Sequence, residues 1–471
     1  MADDRWNAAT DALLARTSEL AADYLRSLPD RPVRERATLA ELRAGLGGEL
    51  PDRGEPDMDL IETLAQLGDA GAVAQSGPRF FGFVIGGSLP ITVAADWLVS
   101  AWDQNSGLYV ISPAISVAEE TAARWLLDLF GLPVTASVGF TTGCQMAHFT
   151  ALAAARRAVL LRAGWDVDAD GLQGAPTIRV IVGDEVHVTG PIALQMLGLG
   201  SRRMDRVAVD GQGRMRADAL RAVLDEGAGD GPTIVCAQLG NVNSGAFDPI
   251  DAIADVVAEY PGTWLHVDGA FGLWAAAAPD LRHLTKGMER AGSWSTDAHK
   301  WLNVPYDAGI VIVSDSEAHR ASMMLQAAYL VAATKGERDN SDWVAEFSRR
   351  GRGFPVYAAL RSLGRNGVVE MIDRCCALAR RMADGLAKAD GVEILNEVVL
   401  NQVLVRFSDD DAITRDVIRR VQEDGTCWLG GSTWHGKAVM RISVSNWSTR
   451  EHDADMSVEA ILRCHAAATA R

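Results

Sequence analysis

Apolar residues recur at helical spacing through TDALLARTSELAADYLRSLPD, at Leu13, Leu14, Leu20, Tyr24, Leu25 and Leu28, and the pattern stops at Pro29. This predicts an amphipathic helix near the start of the chain. The next stretch, RPVRERATLAELRAGLGGELPDRGEP, is broken by prolines and a Gly-Gly pair before another amphipathic helix. Such an arm holds too little apolar surface to fold alone, so it is expected to pack on the main body or on a second subunit. From about residue 75 to 315, short runs rich in Val and Ile (TIRVIVGD, GPTIVCAQLG, TWLHVDGA, AGIVIVSD) alternate with helical stretches such as RADALRAVLDEG and PIDAIADVVAEY. Strands alternating with helices predict an α/β fold with a mostly parallel sheet covered on both faces. Ligands of such sheets bind beyond the carboxyl ends of the strands, so the polar residues after each apolar run are the candidates for chemistry. From about 366 the pattern changes to a long helix, VVEMIDRCCALARRMADGLAKA, then separated strands NQVLVRF and AVMRISVSN, which predicts a smaller α+β unit. The expected organisation is a helical arm over 1–70, a large domain over 71–365 and a small domain over 366–471, without internal repeats.

Composition narrows the classes of function. Of 471 residues, 48% are apolar and 23% charged, as in a globular protein with a large core. Lys plus Arg number 45 against 62 Asp plus Glu, a net charge of −17, which disfavours nucleic acid and anionic membranes as partners. The basic cluster at Arg349, Arg350 and Arg352 is too short to reverse this. The start, MADDRWNAATDALL, lacks the apolar run of a secretory signal, and no segment approaches the ~20 apolar residues of a membrane span. Cys144, Cys236, Cys375, Cys376, Cys427 and Cys464 lack CxxC or zinc spacing, so no metal site is expected. Free thiols in a reducing cytoplasm follow, with the neighbours Cys375 and Cys376 as packing residues.

Three features sit where strands are expected to end. In GFTTGCQMAHFTALAAARRAVL, a glycine turn opens an Ala-rich helix from about Gln145, and the free N–H groups of such a helix start suit an anion. In HVDGAFG, Asp268 follows an apolar run, as a loop carboxylate, a helix cap or a functional acid. In SWSTDAHKWLNVPYDAG, Lys300 lies between His299 and Trp301 in a weakly charged neighbourhood, which suggests a depressed pKa and an amine nucleophile.

Taken together, these motifs resemble the pyridoxal-phosphate-dependent amino-acid decarboxylases of the glutamate, aromatic-amino-acid and histidine group. DAHKWLNVPYD is similar to that family's lysine motif. SPAISVAEE, the glycine-turn segment, DEVHVTG, GNVNSGAFDPI, HVDGAFG and VMRISVSN fall in the family's order over residues 70–450. The resemblance implies an aspartate-aminotransferase-like (fold type I) homodimer with active sites at the subunit interface and pyridoxal 5'-phosphate as cofactor. It also implies that Lys300 bonds the cofactor aldehyde, that Asp268 holds the pyridine nitrogen protonated, and that His187 stacks on the ring. Gly143, Cys144, Gln145 and His299 would seat the phosphate, and Asn241 would contact the cofactor. Arg441 is a candidate for the substrate carboxylate or for a structural salt bridge. Phe81 and Phe83, with Phe80, Trp97 and Trp102 nearby, are candidates for the pocket wall or the core. The implied reaction releases carbon dioxide and an amine from an L-amino acid, aromatic or apolar in preference to glutamate. One departure favours another outcome on the same cofactor, such as aldehyde-forming oxidative deamination, retro-aldol cleavage or transamination. In the loop after the lysine, the family's proton-donating tyrosine aligns near Asn340, and the segment's one tyrosine is Tyr329.

Overall fold

In the computed structural model, residues 6–227, 231–324 and 336–470 are described. The larger sheet has seven strands: β1 Ser137–Thr141, β2 Arg179–Gly183, β3 Met204–Val207, β4 Thr233–Gln238, β5 Thr263–Asp268, β6 Ser293–Asp297 and β7 Gly309–Val313. Their order is β1-β7-β6-β5-β4-β2-β3. From β6 through β5, β4 and β2 to β3 every pairing is parallel, whereas β7 runs antiparallel to both β6 and β1. The run AGIVIVSD is thus the antiparallel return of a hairpin.

Alternate residues of these strands enter two separate cores, which is why the strands read as continuous apolar runs. Ile181, Val235, Ile310 and Ile312 face a core shared with the helices Pro113–Phe130 and Gly353–Leu386. Val180, Ile234, Val311 and Val313 face the other core, filled by the Ala-rich helix Cys144–Arg162. Alanine at Ala147, Ala151, Ala154 and Ala155, all buried, lets this helix lie close to the sheet.

The smaller sheet contains β8 Val392–Ile394, β9 Gln402–Phe407, β10 Gly430–Trp434 and β11 Lys437–Ser443, in the antiparallel order β10-β11-β9-β8. The helix Asp411–Asp424 backs it, and Glu451–Thr469 packs on that helix and on Gly353–Leu386. The Gly353–Leu386 helix links the two sheets and breaks at Gly364, whose φ of 60° suits glycine, two residues before the change of pattern at 366. Ahead of the sheets lie the helices Ala8–Ser27, Leu39–Leu46 and Asp57–Gly71, none of which buries a residue fully. The arm leaves Leu39, Leu46, Leu50, Leu60 and Leu64 exposed. Among the described residues, all six cysteines are buried free thiols, and no helix is long and apolar enough to cross a membrane.

Candidate active site

β6 ends at Asp297 and the chain turns back into β7 at Gly309, so Lys300 sits in the hairpin connection at the carboxyl end of the parallel strands. Its side chain is mostly buried, with Nζ 3.0 Å from Asp297 Oδ2. Asp297 Oδ1 accepts the Cys144 backbone N–H at 2.7 Å and lies 3.5 Å from His299 Nε2. Burial disfavours the Lys300 ammonium, but the Asp297 carboxylate, with smaller help from Cys144 and Asp268, outweighs it and raises the pKa. This corrects the depressed value expected from the local sequence. The turn folds Asp297 back onto an amine three residues further on. Gly86 closes over the same turn: a Cβ there would come within 1.8 Å of the Lys300 carbonyl oxygen, so only glycine fits.

Asp268 is the last residue of β5 and is buried. Burial alone would raise its pKa. His148 Nε2 at 3.3 Å, His187 and the Ala270 N–H outweigh burial and hold the carboxyl well below the usual range. His187 follows β2, its N–H donating to Gln238 Oε1 at 3.0 Å and its Nδ1 lying 2.8 Å from Thr189 Oγ1. Burial lowers its pKa, against the pull of Asp268, so the ring is neutral at pH 7.

These groups share a cavity of about 280 Å³. Asp268, Lys300, His187 and Arg441 supply its charged and imidazole groups, and Phe83, Val84, Val242 and Phe271 its apolar wall. Arg441, part-buried on β11, donates from Nη1 to the Val242 carbonyl at 3.2 Å and has no carboxylate partner among the described residues. Burial lowers its pKa.

The predicted anion seat lies beside the lysine turn, outside the cavity wall. Gly143 has a φ of 117°, and a Cβ on it would come within 3.3 Å of His299 Cε1. The helix begins at Cys144, whose N–H is held by Asp297. His299 stacks on Tyr306 with ring centroids 4.2 Å apart. Gln145 turns elsewhere, towards Met196 Sδ at 3.9 Å.

Several expected residues do not reach the cavity. Phe81 is fully buried in the core, its N–H donating to the Trp428 carbonyl, because the chain turns after it, with Phe83 and Val84 at φ 54° and 59°, and carries Phe83 to the cavity side. Asn241 donates from Nδ2 to Glu185 Oε2 at 3.1 Å and accepts the Asn243 and Ser244 N–H groups, so its amide holds its own loop. Trp97 and Trp102 lie partly exposed on the helix Pro90–Trp102. Asn340 is buried and donates to the Ser106 carbonyl at 3.1 Å and Ser116 Oγ at 3.4 Å. It is a packing amide outside the cavity wall, which corrects its alignment with a mobile proton donor. Tyr329 lies outside the described residues. The basic cluster is paired: Arg349 with Glu119, Arg350 with Asp96 and Arg352 with Asp307.

Sequence reasoning missed His148, Asp297, Val242 and Phe271. His148 is one helical turn after Cys144, a spacing that places both side chains on one face beneath Asp268. Asp297 stands three residues before the lysine, within reach across a turn.

The buried anion at Asp268, the amine at Lys300 and the flat imidazole of His187 around one small cavity fit a protonated aromatic heterocycle carrying an aldehyde. The comparisons with known proteins agree with that fit. The family model described as the pyridoxal-dependent decarboxylase conserved domain matches residues 40–408. The chain is 27% identical to an aromatic-L-amino-acid decarboxylase of Bacillus atrophaeus, over 91% of this chain and 89% of that one. It is 29% identical to an acidic amino acid decarboxylase of Bos taurus, over 76% of this chain and 68% of that one. The crystal structure of Oryza sativa TDC with PLP and tryptamine superposes with a TM-score of 0.91 at 25% identity, covering 99% of both chains. The chain therefore belongs to the pyridoxal-dependent decarboxylase family, a carboxy-lyase of fold type I that uses pyridoxal 5'-phosphate and acts on an amino acid.

Proposed function

We propose that this enzyme decarboxylates an aromatic or apolar L-amino acid to its amine. The observation that carries this reading is Arg441, a guanidinium lining the cavity without a carboxylate partner among the described residues, in a wall shared with Phe83, Val84 and Phe271. One arginine satisfies one carboxylate, the α-carboxylate that every amino acid has. Among the described residues the cavity wall offers a second acid no further arginine, so a glutamate or aspartate side chain would be desolvated against aromatic rings. Pyridoxal 5'-phosphate, when bound, supplies the electron sink for the carbon that loses its carboxylate.

The chain's own groups do the rest. Lys300, paired with Asp297, would hold the cofactor through its amine, Asp268 would keep a proton on the pyridine nitrogen, and the neutral His187 ring would pack beside it. Gly143, Cys144 and His299 would border the phosphate. Buried Phe271 and the largely exposed Phe83 give the substrate an apolar wall. The enzyme works as a homodimer in the cytoplasm, a reading supported by the apolar N-terminal arm and by six unpaired thiols.

A panel of common amino acids, incubated with purified holoenzyme and assayed by mass spectrometry for amine, aldehyde and carbon dioxide and by a coupled assay for peroxide, tests the reading. Stoichiometric amine and carbon dioxide from an aromatic or apolar substrate are expected. Turnover confined to glutamate or aspartate overturns the substrate class, and aldehyde with peroxide overturns the reaction outcome. Arg441→Leu should raise KM for the preferred substrate by tenfold or more, the equivalent of about 1.4 kcal/mol of lost binding.

A further inference from the structure

Strand periodicity places Trp264, His266 and Asp268 on one face of β5, and the register with β6 sets Ser293 beside His266 and Ser295 beside Asp268. The helix Cys144–Arg162 covers this face and lowers His148 onto it. The result is an unbroken buried chain. Trp264 Nε1 donates to Ser293 Oγ at 3.0 Å, Ser293 Oγ is 2.8 Å from His266 Nδ1, His266 Nε2 is 2.9 Å from His148 Nδ1, and His148 Nε2 is 3.3 Å from Asp268 Oδ2. Ser295 Oγ joins at His148 Nδ1, 3.0 Å away. Cys144 Sγ makes a weaker contact with His148 Nε2 at 3.6 Å.

The two ends fix the direction of the chain. An indole N–H only donates and a carboxylate only accepts. Ser293, accepting from Trp264, gives its own hydrogen to His266 Nδ1. His266 then carries hydrogen on Nε2 and donates to His148 Nδ1, which leaves the His148 hydrogen on Nε2, facing Asp268. Reversing the chain with neutral rings would set a bare nitrogen lone pair against the carboxylate in a buried site, where repulsion is strong. A second proton on His148 would go to Nδ1, where Ser295 Oγ accepts it, with His266 moving its own hydrogen to Nδ1 so that its Nε2 also accepts, so the donor facing Asp268 is the same in both states. Burial keeps His266 neutral, with its pKa lowered to about 3.

We propose that His148 is a positioning residue that, held from behind by His266 and Ser295, gives Asp268 a fixed hydrogen-bond donor and so keeps its carboxylate aimed and ionised towards the cofactor's ring nitrogen. This rests on the reading that Asp268 faces that nitrogen. None of these five supporting side chains touches the cavity, so they act through Asp268 alone.

The test is the 15N chemical shift of ring-labelled pyridoxal 5'-phosphate in reconstituted holoenzyme. The unaltered enzyme should show a protonated ring nitrogen. His148→Leu should move the resonance towards the unprotonated position, and His148→Asn, whose amide can still donate, should restore it at least in part. A leucine variant that keeps the protonated shift, while Asp268→Asn loses it, overturns the role of His148 and leaves Asp268 in place. An Asp268→Asn variant with an unchanged shift overturns the reading of Asp268 and this proposal with it. Neutron diffraction from deuterated, unaltered holoenzyme requires no variant to fold. Deuterium on His148 Nε2 supports the proposal, and a bare Nε2 facing Asp268 overturns it.

Discussion

Lys300 meets Asp297 across a single turn, so its amine begins as half of a buried ion pair. A lysine held that way is protonated in the cofactor-free site, and among the described residues no other lysine lines the cavity. Lys300→Ala should therefore abolish turnover and borohydride-trappable cofactor while far-UV circular dichroism stays unchanged; a trappable adduct in the variant would move the anchor to another residue. Asn340 belongs to a different kind of position. Its amide fills a buried gap against Ser106 and Ser116, so Asn340→Tyr should cost about 1–3 kcal/mol by overpacking, read as a lower denaturation midpoint. Its amine-to-aldehyde ratio should match the parent's. Lys300, Asp268 and His187 were legible in the sequence because each lies at or just after a strand end within a recognisable motif. Phe81 and Asn241 were misread because a motif gives position along the chain and not the direction of a side chain. Phe81 and Phe83 share a segment, yet one enters the core and the other the cavity.

At the scale of elements, the strands found from sequence were those apolar on both faces, such as β4 and β7. β6, SWSTD, was expected only as the strand that ends before the lysine and not from an apolar run, because its serines look like loop residues. They are buried because His266 and His148 give them hydrogen-bond partners on the face the Ala-rich helix covers. Contacts between the two sheets were equally hidden. Glu185, two residues before His187, accepts from Trp434 Nε1 at 3.1 Å and pairs with His435 Nε2 at 2.8 Å, both at the turn of the β10–β11 hairpin. It also accepts from the buried Asn241 amide. Glu185→Ala removes all three and leaves that amide unsatisfied. A loss of about 1–3 kcal/mol in chemical denaturation is expected, together with weaker retention of the cofactor on dialysis. Unchanged retention would show that the latch does not reach His187.

For the whole molecule, the arm that cannot fold alone points to a second subunit. A groove of about 1000 Å³ between the helices Ala8–Ser27 and Asp57–Gly71 is lined by Leu20, Leu25, Leu64 and Trp97, an apolar surface that a monomer would leave wet. Analytical ultracentrifugation of the full chain is expected to give a dimer. Deleting residues 1–70 should yield aggregate or inactive monomer. An active, monodisperse monomer of the shortened chain would remove the arm from assembly.

The pairing of β1 with β7 also governs when the site comes into being. Ser137 meets Val313 across 176 positions, and among the described residues β1 has no other neighbour in its sheet. A ribosome adding roughly 5–20 residues per second needs on the order of ten to thirty seconds to supply that partner. Throughout that interval the nascent chain carries an apolar strand with both edges open, immediately ahead of the helix start proposed to border the phosphate. The cofactor is thus a late arrival in the life of each polypeptide. Ribosome-bound chains halted before Gly309 should neither retain it nor hide β1 from chaperones.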